Sequence, residues 1–205
     1  MMTPPERSPE RDAALMALLP NVPFDGWTTK ALRVALASIG AHEDDAAHLF
    51  PGGAADLVEA FCDLADRRME AEAATVGLEA MRLPARVRAV IALRLAQNRP
   101  HKEAIRRALG VLALPGNARL AAACTARTVD AIWHASGDRA ADFSWYTKRA
   151  TLASIYAATL LFWLRDQSEG DADTLAFLDR RLAGIARFGT LRRRAEGLLR
   201  RPAPV

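Results

Sequence analysis

The fold is encoded most clearly in residues 26–53, which read GWTTKALRVALASIGAHEDDAAHLFPGG. Either of the two adjacent threonines can cap a helix over residues 30–39, because a threonine hydroxyl accepts hydrogen bonds from the free N–H groups at a helix start. Gly40 can then end this helix in the left-handed conformation. A second short helix, residues 43–49, precedes a proline, two glycines and a long helix. This layout predicts a helix-turn-helix.

Helical patterns continue through the rest of the chain. Alanine, leucine and arginine dominate, and no segment shows the sustained alternation of apolar and polar residues that is typical of a strand. The pattern predicts an all-α protein, and the layout is that of a TetR-like bundle with an N-terminal helix-turn-helix head. The further predicted helices are 10–19, 54 to beyond 69, 84 to before 100, 101–112, 118–135, 142–165 and 174–188.

The head has the layout of a DNA-binding motif without its chemistry. Its second helix begins with Glu43, Asp44 and Asp45 and has no arginine or lysine in that turn. Carboxylates repel the phosphate backbone, whose neutralisation supplies most non-specific affinity for DNA. Gly53 and Ala54 stand where TetR regulators usually carry a lysine. We therefore expect no nucleic acid as a partner.

The residue types that support catalysis do not form a recognisable site. Cys62 and Cys124 are widely separated in the sequence and lie in apolar helical contexts, which predicts free thiols. His42, Asp45 and His48 are spaced like metal ligands, but on a short polar helix they are better explained as solvated residues. The sequence predicts no enzyme, no cofactor and no metal.

Neither a signal peptide nor a membrane span is evident. The N-terminus, Met1 to Glu10, lacks an apolar core. The longest nearly apolar run, Ala150 to Leu164, is shorter than the roughly 20 residues that a bilayer span needs. We expect a cytoplasmic protein, on the matrix side of the mitochondrion if it is eukaryotic.

The segment 142–153, DFSWYTKRATLA, resembles the signature of the coenzyme Q accessory family, the TetR-like lipid-binding proteins of ubiquinone biosynthesis. The resemblance continues through 155–160 and 173–181, and it reaches back over 127–133 and Gly137-Asp138.

This resemblance implies a homodimer that does not bind DNA, holds an isoprenoid or phospholipid in its body, and assists a di-iron hydroxylase. Carried over by position, the residues that would contact the hydroxylase are Asp142, Trp145 and Tyr146, with Ile132 on the preceding helix. The family also contacts the membrane peripherally through a terminal amphipathic helix.

Apolar stripes at helical spacing supply the residues that would line a lipid site. Such stripes are usually core, so their assignment to lipid rests mainly on the resemblance. The predicted lipid-binding residues are Val129, Trp133, Leu152, Tyr156 and Leu160.

The end of the chain has the pattern of a short basic amphipathic helix. Apolar residues fall near one face of 191–201, between five arginines and a single acid. Such a helix suits an anionic membrane surface, although a solvated basic tail explains the same pattern. The predicted membrane-contact residues are Leu191, Arg192, Arg193, Arg194, Leu198 and Leu199.

The sequence therefore predicts a head over 1–53, a lipid-binding and dimerisation body over 54–188, and a membrane-contact segment over 189–205. The predicted function is non-catalytic: presentation of a polyprenyl quinone precursor to a di-iron hydroxylase. The alternative is a TetR-family repressor that senses a hydrophobic effector.

Overall fold

The computed structural model describes residues 4–138 and 145–184, and these residues form helices and turns without a strand. The chain separates into two compact units, 1–153 and 154–205. The predicted boundary at residue 53 lies inside the first unit, and the predicted membrane-contact segment lies outside the described residues. The helices are α1 (Pro9–Leu18), α2 (Val22–Asp25), α3 (Thr29–Ser38), α4 (Asp45–Leu49), α5 (Gly53–Ala73), α6 (Leu83–Asn98), α7 (Lys102–Leu112), α8 (Ala118–Ala135), α9 (Trp145–Trp163) and α10 (172–184).

The helix-turn-helix forms as the sequence predicts. Thr28 caps α3, since its hydroxyl accepts a hydrogen bond from the Ala31 amide at 3.1 Å. Gly40 ends α3 with a φ of +74°, a conformation that side chains with a Cβ rarely adopt. The amide of the next residue, Ala41, donates back to the Leu36 carbonyl at 3.0 Å, which completes a Schellman-type cap. The short helix α2 was not predicted.

Ion pairs connect the head to α5, and a cation–π contact stabilises the head internally. Arg67 bridges Asp12 and Asp63, at 2.6 and 2.9 Å. The buried Arg11 pairs with Asp56 at 2.6 Å and lies over the Phe50 ring. The ion pairs join α1 to residues 56–67 of α5, so the head and α5 belong to one unit.

Trp27 connects the head to two further helices. Its indole N–H donates to the Ala104 carbonyl on α7 at 2.9 Å, and its ring centroid lies 5.2 Å from that of Phe61 on α5. The residue is 3% exposed, so a tryptophan that begins the head motif is a core residue of the first unit.

Asp166 organises the start of α10 in the second unit. Its carboxylate accepts hydrogen bonds from the amide and hydroxyl of Thr174 at 2.9 and 2.5 Å, and from the Ser168 amide at 2.8 Å. Burial raises the pKa of Asp166, but these hydrogen bonds outweigh it and hold the pKa well below its usual value. The carboxylate thus satisfies N–H groups that a helix start leaves free.

We expect Asp166→Ala to destabilise the protein by about 0.5–2 kcal/mol, the usual cost of losing a helix cap. Because the folded pKa is depressed, the stabilisation is present above the pKa of the unfolded chain, about 4, and is lost as the pH falls below it. Urea unfolding at neutral pH and at about pH 3 measures both effects. Glu169→Ala, a change at an exposed neighbour, is the control; an equal loss in both variants contradicts the capping role.

Candidate functional site

The helices α5 and α8 form the most extensive helix pair among the described elements of the first unit. Residues further along α5 contact residues further along α8, so the two helices run in the same direction. Arg127 pairs with Glu59 at 2.7 Å, the Thr128 hydroxyl donates to Asp66 at 3.0 Å, and His134 lies 3.0 Å from Glu70. Since α8 also carries three of the residues predicted to bind lipid or a partner, this pair is the framework of the candidate site.

A charged pair is buried beside this framework. The carboxylate of Asp66 on α5 lies 2.6 Å from the guanidinium of Arg94 on α6, and the two residues are each 6% exposed. Asn98, also buried, donates to the Arg94 carbonyl at 2.7 Å. The Thr128 hydroxyl brings α8 into the same cluster, so one buried carboxylate joins three helices.

Asp66 titrates abnormally because it is buried. Desolvation raises its pKa to about 6, although Arg94 and the Thr128 hydroxyl act in the opposite direction. At neutral pH Asp66 is therefore ionised, and its carboxylate is the counter-charge of the buried Arg94.

The structure corrects one predicted partner contact. Ile132 is 0% exposed and lies among the core residues of α8, so its side chain does not reach a surface where a hydroxylase could dock. The sequence alone does not show that Ile132 is buried. Successive side chains on a helix point about 100° apart, and which of them face the core depends on how α8 packs against the other helices. We assign Ile132 to the core.

The predicted lipid-binding residues differ in burial. In the first unit Val129 and Leu152 are buried, at 1% and 3% exposure, and Trp133 is half-buried. In the second unit Tyr156 is buried and Leu160 half-buried. Each of the five is thus shielded from solvent at least in part, as either a lipid site or an ordinary core requires.

Trp133 has one feature that ordinary core packing does not explain. Its indole N–H is buried and has no hydrogen-bond partner among the described residues. A buried donor without an acceptor costs roughly 1–3 kcal/mol, so such groups are usually satisfied. This N–H is therefore suited to donate to an acceptor on a bound molecule.

Two of the predicted partner residues, Trp145 and Tyr146, lie at the start of α9. Tyr146 is 78% exposed, so most of its side chain is in contact with solvent. Its helix is tied to α8 by an ion pair between Arg149 and Asp130, and Lys148 lies 3.7 Å from Asp138. Trp145 is the first residue of α9, and Asp142 lies outside the described residues.

An aromatic stack in the second unit was not predicted. The rings of Phe162 and Phe177 stack with centroids 4.6 Å apart, and the Arg181 guanidinium lies 4.8 Å from the Phe177 centroid. Leu161 and Phe162 are 58% and 36% exposed, so this stack borders an apolar surface.

The acidic turn of the head is solvent-exposed, as is expected of Glu43, Asp44 and Asp45 on a surface that repels phosphates. Within residues 4–138 and 145–184, no group of three or more potential ligands is placed to hold a metal ion. No single described helix has the length and hydropathy of a membrane span; 83–112 and 115–135 meet these criteria only together, across a bend of 93°.

These features define a class of protein: an all-helical TetR-like fold with an acidic head and a buried polar cluster in its body. The structure is similar to the crystal structure of a TetR transcriptional regulator from Nitrosomonas europaea, with a TM-score of 0.71 and 26% identity. The match covers 87% of this chain and 99% of that one. The predicted all-α, TetR-like fold is confirmed.

Sequence comparison gives the family. A family model described as COQ9 matches residues 118–189. The chain is 34% identical over 182 residues to the mitochondrial ubiquinone biosynthesis protein COQ9 of Rattus norvegicus, and 30% identical over 175 residues to that of Schizosaccharomyces pombe. The matches cover 85% of this chain, and 58% and 69% of those relatives, respectively. The chain belongs to the COQ9 family, which confirms the resemblance, and it spans less than two thirds of the rat relative.

Proposed function

We propose that this protein is a non-catalytic accessory protein of ubiquinone biosynthesis, which binds a polyprenyl quinone precursor and presents it to a di-iron hydroxylase. The observation that carries this proposal is the match of 85% of the chain to relatives named as ubiquinone biosynthesis proteins. Exposure of a polyprenyl tail to water costs about 0.8 kcal/mol for each methylene. A protein interior that encloses part of the tail lowers this cost while the ring is moved.

The Trp133 N–H, which has no hydrogen-bond partner among the described residues, supports ligand binding in the body. A quinone or phenol oxygen, or a phospholipid oxygen, is an acceptor that this buried donor requires. The apolar residue Val129 lies one helical turn before Trp133 on α8, so the two residues are on the same face of the helix.

Native mass spectrometry of the purified protein, followed by organic extraction, tests the proposal. A bound quinone precursor or another isoprenoid supports a carrier in this pathway. A lipid-free protein that takes up no added polyprenyl phenol contradicts lipid presentation.

We expect Trp133→Phe to lower the lipid occupancy of the purified protein. The change keeps an aromatic ring and removes the donor, so the affinity falls by about 0.5–1.5 kcal/mol, the net value of one hydrogen bond. Occupancy in native mass spectra measures the effect. Arg119→Ala, a change at an exposed position of the same helix, is the control, and equal occupancy in Trp133→Phe and the parent protein excludes this N–H as a ligand donor.

We propose the start of α9 as the hydroxylase-docking surface, with Tyr146 as its exposed aromatic anchor. The family resemblance adds Asp142 and Trp145 to the same contact. Large aromatic residues are the most frequent anchors of protein interfaces. The Arg149–Asp130 ion pair holds this helix start against α8, so the anchor projects from a fixed position.

Tyr146→Ala is expected to weaken hydroxylase binding by about 2 kcal/mol, which is roughly 30-fold in Kd. Calorimetric titration of the hydroxylase with the purified protein measures the change. Thr147→Ala, an exposed neighbour, should leave Kd unaltered. If both variants bind like the parent, the docking surface lies elsewhere.

The proposal also includes a homodimer and peripheral attachment to a membrane through the basic segment 189–205. The apolar surface beside the Phe162–Phe177 stack suits burial against a second copy. Five arginines in 191–201 suit an anionic lipid surface, where each cation contributes about 1 kcal/mol. The compartment would be the cytoplasm of a bacterium or the mitochondrial matrix.

A transcriptional repressor that senses a hydrophobic effector is the second candidate, because the fold matches a regulator. Electrophoretic mobility shifts with DNA from the protein's own promoter region separate the two functions. Specific binding that weakens steeply with salt supports the repressor. The exposed acids at the start of α4 predict no such binding.

A further inference from the structure

Cys62 and Cys124, far apart in the sequence, meet between α5 and α8. The two thiols lie close enough for each to shift the pKa of the other. They lie one helical turn before Asp66 and Thr128, whose side chains bond directly at 3.0 Å, and both pairs have the same spacing of 62 positions along the chain. The register of the two helices therefore places the cysteines opposite each other.

The surroundings of the two sulfurs make them chemically different. Arg127 lies on α8 and its guanidinium approaches the Cys124 sulfur to 3.5 Å while it also binds Glu59. The neighbouring Cys62 thiol and the charge of Arg127 lower the pKa of Cys124. The neighbouring Cys124 sulfur and burial raise the pKa of Cys62 well above its usual range. The contact with Arg127 makes Cys124 the better nucleophile of the two.

We propose that Cys62 and Cys124 form a reversible intramolecular disulfide when the protein meets a peroxide. The site is independent of the lipid-binding proposal, and it would link α5 covalently to α8, the first helix of the segment that matches the family model. Cys124 is 4% exposed, but Cys62 is partly accessible, so a small neutral oxidant can approach the pair from the Cys62 side.

The chemistry has two steps. The Cys124 thiolate attacks one peroxide oxygen, the O–O bond breaks, and sulfenic acid and hydroxide form. The Cys62 sulfur then attacks the sulfenic sulfur, an S–S bond replaces the S–O bond, and the released hydroxide takes the Cys62 proton as water. Two thiols and one hydrogen peroxide become one disulfide and two waters, and a thiol reductant reverses the change.

Peptide mapping of the full-length protein after treatment with hydrogen peroxide tests the proposal. Free thiols are blocked during denaturation, and the digest is analysed by mass spectrometry. We expect a single cross-linked peptide pair that contains Cys62 and Cys124, which disappears after reduction. The proposal would be overturned if disulfides form only between protein copies. It would also be overturned if both thiols stay free until the protein is unfolded.

Variants assign the two roles. In Cys62→Ser, sulfenic acid should accumulate at Cys124, where dimedone traps it. In Cys124→Ser, the remaining thiol of Cys62 should stay unmodified at the same peroxide concentration. Arg127→Met should slow the reaction, because it removes the cation that favours the Cys124 thiolate. Arg119→Met, at an exposed position of the same helix, should react at the parent rate. Equal labelling of both cysteine variants would overturn the roles, and circular dichroism verifies that each variant is folded.

Discussion

Asp66→Asn lowers the free energy of unfolding by about 3–5 kcal/mol, because it leaves a buried cation without its counter-charge. Arg94 is 6% exposed, and a guanidinium does not release its proton at any ordinary pH. The asparagine keeps the shape of the side chain and its hydrogen bond with Thr128, so the loss reports the charge itself. Urea unfolding at neutral pH, followed by circular dichroism, measures it.

Removal of the other partner is expected to cost less. In Arg94→Met the orphaned group is Asp66, whose pKa is already raised to about 6 and which can take up a proton. The order of stability should be parent, then Arg94→Met, then Asp66→Asn.

The double variant Asp66→Asn, Arg94→Met separates the ion pair from the shape of the site. It contains no buried charge at this position and should recover most of the stability that Asp66→Asn loses. If the double variant is as unstable as the sum of the single ones, packing rather than charge pairing holds α5, α6 and α8 together here.

Ile132→Ala is expected to cost about 2–5 kcal/mol, because it removes buried methyl groups and leaves a cavity in a close-packed core. Ile132 has no exposed surface, so hydroxylase binding at temperatures where the variant is folded should equal that of the parent protein. Thermal unfolding measures the stability and calorimetric titration measures the binding.

Tyr146→Ala is the counterpart of this experiment. At 78% exposure Tyr146 contributes little to the core, and its removal should change stability by no more than about 0.5 kcal/mol while it weakens hydroxylase binding. The two variants therefore have opposite profiles. If folded Ile132→Ala binds the hydroxylase more weakly than the parent protein does, Ile132 belongs to the docking surface after all.

The sequence by itself determined the local structure and the family. Thr28 and Gly40 mark the ends of α3 because capping depends on atoms within a few residues, and α8 runs over 118–135 as its pattern predicts. The acids of the head predict a weak affinity for DNA phosphates through their charge alone. Family membership was readable from residues 127–181, because matching depends on residue identity and not on contacts.

Only the tertiary structure decided which residues meet. Asp66 contacts Arg94 and Thr128 across 28 and 62 positions, and Cys62 meets Cys124 across the same 62. Such pairs depend on which faces of α5, α6 and α8 pack together. Helical periodicity in the sequence indicates that a face is apolar, but it does not indicate which helix packs against that face. For the same reason Ile132 was expected at a surface and lies in the core.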